Sequence, residues 1–149
     1  MNPPPLLPPD SSIRVAITDG PLGAISDAIL GAASDASARG MVGARLVFEG
    51  IVRRDEGGKS LAALAYETYD PMAEQTLAQL AADIVNQFRL ISLAVEHSRG
   101  RVPVGGCSLR VEIQSGHRGE GLDAMREFIQ RLKQDVPIWK SPVWEGNGE

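Results

Sequence analysis

Only one cysteine, Cys107, occurs in the 149 residues. No disulfide can form within the chain, and a thiolate-based zinc site lacks its ligands. The two histidines, His97 and His117, stand apart, without the neighbouring carboxylates or thiols that metal spacing requires, so no metal site is expected. So little cysteine agrees with a reducing, cytoplasmic setting. Cys107 stands just before an expected strand and reads as a small, partly buried residue. Aromatics make up only 5% of the chain, so its core has to be aliphatic and rich in alanine. No apolar run approaches the roughly 18–20 residues of a membrane span. The first residues carry neither the basic n-region nor the apolar stretch of a secretory signal. Positive charge is not in surplus: the net charge is −4, which argues against a general nucleic-acid binder. Walker and Gly-x-Gly-x-x-Gly sequences are absent, so nucleotide binding has no support.

What is present fits one compact domain with a hydrophobic fraction of 43%. Residues 1–12 are rich in proline and read as a disordered arm, residues 13–140 as the domain, and residues 141–149 as a short tail. Ile13 to Ile17 alternate like a strand. Asp19-Gly20-Pro21 is expected to start a helix that ends at Gly40. Residues 42–54 and 61–67 read as a hairpin around the turn-rich Asp55-Glu56-Gly57-Gly58-Lys59. Asp70-Pro71 predicts a capped helix start, followed by an apolar stripe from Leu77 to Phe88. Strands are expected at 91–96 and 108–114, then a helix from about 120 to 133 with Leu122, Met125, Phe128, Ile129 and Leu132 on its stripe. The order β-α-β-β-α-β-β-α predicts an α+β fold: a mostly antiparallel sheet with about three helices.

Cationic residues gather in the last third. His117 and Arg118 follow a strand, Lys133 closes the last helix, and Lys140 follows the link from Gln134 to Trp139. Lys133 lies at the edge of its helix's apolar stripe, where a lysine buries its stem and presents its amine to a cleft. Taken singly, Arg53 reads as a solvated strand end, His117 as a turn residue and Lys140 as a surface lysine. Together they suit an anion. The planar fork of arginine matches phosphate, lysine supplies a point charge, and histidine passes protons near neutrality. Clustered cations also depress one another's pKa, which helps make a lysine an acid, base or nucleophile. The expected substrate is a phosphorylated small molecule.

The same residues carry a family resemblance. Phe48-Glu49-Gly50-Ile51-Val52-Arg53, Glu67-Thr68-Tyr69 with Met72, His97 with Gly100, Ser115-Gly116-His117-Arg118, and Lys133 through Pro137-Ile138-Trp139-Lys140 occur in this order over residues 42–140. In this the chain resembles the large, catalytic subunit of molybdopterin synthase, the MoaE family. The resemblance implies an α/β-hammerhead-like fold and a sulfurtransferase activity. Cyclic pyranopterin monophosphate (precursor Z) becomes molybdopterin by insertion of two dithiolene sulfurs. These come from the C-terminal Gly-Gly thiocarboxylate of a small ubiquitin-like subunit, so no cofactor is expected. It further implies a central homodimer within a heterotetramer. Lys133 would be the central catalytic lysine and Lys140 the second. Arg53, His117 and Arg118 would bind substrate. Phe48 would line the pocket for the partner's tail, together with Ile129, which stands where the family commonly has Met. Family members often continue past the Trp-Lys motif; here residues 141–149 follow, with Ser141-Pro142 where a carboxylate is common.

Two other readings compete. One is a non-catalytic module that docks a ubiquitin-like Gly-Gly tail, against which both retained lysines argue. The other is an unrelated anion-binding enzyme, for which the chain shows no nucleophile or metal set.

Overall fold

The computed structural model describes residues 12–24 and 40–146. The elements run β1 Ser12–Asp19, β2 Ala44–Ile51, β3 Asp55–Glu56, β4 Lys59–Thr68, α1 Met72–Phe88, β5 Ser92–Pro103, β6 Cys107–Ser115, α2 Arg118–Asp135 and β7 Ile138–Trp144. The fold is α+β, as expected. One sheet has the order β2-β6-β5-β4-β3, with β1 added to β5 and β7 to β4. Every pairing is antiparallel except β1 with β5.

Both helices cover one sheet face. Leu77, Leu80 and Ile84 of α1 and Phe128 and Leu132 of α2 pack with Leu93, Val95, Val111 and Ile113. Fully burying each such side chain contributes on the order of 1.5–3 kcal/mol. The helical stripes follow the spacing read from the sequence except at Leu122, which is exposed, the buried face of α2 beginning instead at Gly121 and Ala124. α1 stops where Arg89 turns left-handed at φ 53°, its N–H held by the Val85 carbonyl. On the opposite sheet face the buried Arg110 donates to Glu49 at 2.7 and 2.9 Å and to the Gly23 carbonyl at 2.6 Å, with Glu96 at 3.7 Å. This guanidinium ties β2, β5 and β6 together.

Strand β5 serves two neighbourhoods. Residues 92–97 pair with β6 and residues 100–103 with β4. Gly100, at φ +89°, makes the handover in a conformation that side chains rarely adopt.

Several expectations need correction. Residues 42–54 and 61–67 do not form a hairpin: β2 pairs with β6, and only Asp55–Glu56 folds onto β4. The reason is the register shift after Gly50, beyond which Val52 leaves the sheet. Its N–H reaches Gly106 at 3.0 Å, and its carbonyl accepts from Gly105 at 2.8 Å. Asp70 does not cap α1; it accepts from Thr68 at 3.0 Å and pairs with Arg99. Pro21 starts no helix within the described residues, since Leu22 bridges to Cys107. The remainder of that expected helix, 25–39, lies outside the described residues, and two helices are present within them. Of the proline-rich arm expected over residues 1–12, residues 1–11 also lie outside, and Ser12 instead opens β1 opposite Ser92. The link before Lys140 is shorter than expected, because Ile138 already belongs to β7. This strand runs through residues 141–144 of the expected tail and pairs with β4. Its pattern is largely exposed, so it carries no alternation to read. Pro142 fits a strand at the sheet's edge.

Candidate active site

A chemically mixed concavity of about 390 Å³ opens where β5 passes from one neighbour to the other. Phe48 and Arg53 reach it from β2 and the departing segment, Lys133 from the last turn of α2, and Lys140 from β7. Each placement has a local cause. The irregularity after Gly50 turns residues 51–53 out of the ladder and along the cavity wall. Phe48 sits one alternation earlier, against the helix-side core. Lys133 follows the buried Leu132, so its Cα is held at the core boundary while its side chain is exposed. Lys140 lies opposite Tyr66 in the antiparallel register.

Three of the five expected cationic residues therefore share one cavity, and two do not. His117 and Arg118 are exposed at the N-terminal end of α2. Fifteen residues of helix separate Arg118 from Lys133, about 22 Å along the axis. The turn carrying them is fixed by glycine. A Cβ on Gly43 would lie 2.1 Å from the Gly116 carbonyl oxygen, and one on Gly121 would lie 2.7 Å from Leu46 and Ser115. Ser115 donates to the His117 carbonyl at 2.6 Å. Ile129 packs against the main core rather than lining the cavity. Of the two residues expected at a tail pocket, Phe48 lines the cavity and Ile129 does not.

The cavity also holds groups given no role by sequence reasoning. Tyr66 donates its hydroxyl to Ser108 at 3.0 Å and meets the His97 ring edge-on, with centroids 5.2 Å apart at 77°. His97 is 5% exposed, and its Nδ1 donates to the Ser98 carbonyl at 2.8 Å. Burial lowers the pKa of its imidazole; the bond to Ser98 opposes this and is the smaller effect. Glu56 adds a carboxylate at the exposed rim. His97 was visible as an isolated histidine three residues before Gly100, but only the sheet crossing brings it to the lysines. Among the described residues, no three His, Cys, Asp or Glu side chains come close enough to hold a metal. The cavity offers Lys and Arg for an anion, apolar walls from Phe48, Leu109 and Leu132, and a neutral polar floor.

The family model described as MoaE protein matches residues 25–135. The chain is 40% identical over 103 residues to the molybdopterin synthase catalytic subunit of Bacillus subtilis, covering 69% of this chain and 66% of that protein. It is 37% identical over 115 residues to the human protein of the same name, covering 73% of this chain and 61% of that one. The matched stretch thus spans just under two thirds of each of these relatives. Among solved structures, molybdopterin synthase from Staphylococcus aureus superposes with a TM-score of 0.67 at 34% identity, covering 72% of this chain and 78% of that chain.

Proposed function

The chain belongs to the MoaE protein family, and from that membership we propose that it is the catalytic subunit of a molybdopterin synthase. It converts cyclic pyranopterin monophosphate into molybdopterin with two sulfurs taken from the C-terminal thiocarboxylate of a small ubiquitin-like subunit. One observation carries the reading: Arg53, Lys133, Lys140 and Phe48, from three separate parts of the chain, line a single cavity of about 390 Å³.

In this reading the partner's Gly-Gly tail enters beside Phe48, where glycine's lack of a side chain permits close passage. Arg53 holds the substrate phosphate. The tail's thiocarboxylate sulfur bonds to a side-chain carbon of the pterin as a C–O bond at that carbon breaks and its oxygen is protonated, and Lys133 stabilises the negative charge that develops on the thioester's carbonyl oxygen when water then adds to it. Lys140 binds the substrate or moves a proton. The C–S bond to the tail then breaks, and water replaces the sulfur, so the tail departs as a carboxylate. All sulfur comes from the partner, and no cofactor is needed. His117 and Arg118 cannot touch a molecule held by Lys133 in their own chain; their substrate-binding role requires a second copy, which fits a central homodimer. The lone, buried Cys107 is compatible with a cytoplasmic setting.

Reconstitution tests the proposal. The purified chain is mixed with cyclic pyranopterin monophosphate and a thiocarboxylated ubiquitin-like partner, and molybdopterin is read as its oxidised fluorescent derivative. Product that depends on Lys133 is expected. Partner binding without product would instead indicate a docking module.

A further inference from the structure

The cavity's cations explain how an anion is held but not how the uncharged part of a substrate is read. Lys133, Lys140 and Arg53 only donate hydrogen bonds. A reduced pterin also brings ring and amino N–H groups, and burying these without acceptors is costly. Acceptors on the wall are few. Ser108 Oγ already receives the Tyr66 hydroxyl. Glu56 stands at the exposed rim.

We propose that His97 is a specificity-determining residue of this cavity, accepting a hydrogen bond at Nε2 from an N–H of the pterin ring system. The inference rests on the substrate reading above. Its geometry is independent of the lysines. Nδ1 carries the ring proton, because its partner, the Ser98 carbonyl, can only accept. The lone pair of the neutral imidazole is therefore on Nε2, at the opposite edge of the ring from that bond. No hydrogen bond to Nε2 forms among the described residues. His97 is otherwise enclosed, and the cavity is the space that it lines. Tyr66 holds the ring from the side, and Tyr66 is itself pinned by Ser108. The imidazole is thus a fixed acceptor in a site whose charged groups are nearly all donors. Burial keeps it uncharged near neutrality.

The test is binding of cyclic pyranopterin monophosphate to the full chain, with inorganic phosphate as the control ligand. His97→Phe keeps an aromatic ring beside Tyr66 and removes the acceptor. Affinity for the pterin should fall about tenfold with phosphate affinity unchanged, and His97→Gln, which restores an acceptor, should recover most of the loss. Equal affinity in His97→Phe, or a parallel loss of phosphate binding, would overturn the assignment. A second measurement needs no variant. The chain has two histidines, so the Nε2 resonance of ¹⁵N-labelled His97 can be followed directly. It should shift on adding the pterin and stay put on adding phosphate; an unmoved resonance at pterin saturation would sink the idea. Wild-type protein that binds phosphate but not the pterin would refute the substrate reading, and this inference with it.

Discussion

Tyr66 stands directly across from Lys140 in the β4–β7 ladder while its hydroxyl reaches Ser108 on β6 at 3.0 Å. One tyrosine thus connects the strand bearing a candidate catalytic lysine to the centre of the sheet, and passes His97 on the way. Tyr66→Phe removes the hydroxyl and leaves the ring. Stability should fall by about 1 kcal/mol, measurable as a lower urea midpoint at unchanged slope. Synthase activity should fall by a larger factor than that loss explains.

Lys133→Ala should abolish molybdopterin formation. The side chain is exposed, so stability should stay within about 0.5 kcal/mol of wild type. Near-normal turnover in a folded variant would remove Lys133 from the mechanism.

If His117 serves a neighbouring copy, two inactive variants should rescue each other. Mixed, refolded His117→Ala and Lys133→Ala chains form hybrid dimers in which one of two sites is intact. Random association then predicts about a quarter of wild-type activity. Absence of any recovery, with hybrid dimers demonstrated, would place His117 outside the reaction.

Arg110→Ala should be among the most damaging substitutions outside the cavity. It leaves Glu49 and Glu96 facing one another across the sheet without their common partner. Glu49 and Glu96 keep partial access to water, so the loss should be about 1–3 kcal/mol. Chemical denaturation gives the number directly, and a loss below about 1 kcal/mol would show that the network behaves like a surface pair.

Burial raises the pKa of Glu112, with Arg45 acting in the opposite direction. Its Oε2 has no hydrogen-bond partner among the described residues. Between the ordinary carboxylate value and the raised one, the folded chain holds a proton that the unfolded chain releases. This contribution to stability is full below the ordinary value and declines as pH rises through the raised one. Glu112→Gln removes the decline. The variant should be more stable than wild type at about pH 7 and should lose that advantage at about pH 4. Equal stabilities at both would show Glu112 to be solvated.

The helices were legible in the sequence because their apolar spacing is set by one sheet face: Leu77, Leu80 and Ile84, then Phe128 and Leu132, mark them without reference to anything else. Strand partners were not. The 42–54 segment reads as half of a hairpin because a Gly-Gly turn follows it, yet Val52 is drawn instead to the β5–β6 turn through backbone bonds, which leave no trace in side-chain pattern. β7 was missed for a related reason: an exposed edge strand has no buried face to alternate. At the site, Lys133 could be placed from helical phase, whereas the separation of His117 from it follows from the length of α2. Ile129 was expected in the cavity because it stands where the family commonly has Met, and it packs against the core instead.

Strand β6 is buried along all nine residues, between β2 and β5. Its amides should exchange with solvent only when the entire domain opens, so their protection reads out global stability. The exposed β7 and the segment around Arg53 should exchange through smaller, local openings. A ligand spanning Arg53, Lys140 and the floor at Ser108 would therefore slow exchange most at the periphery, and the sites of that slowing would map the bound pose residue by residue.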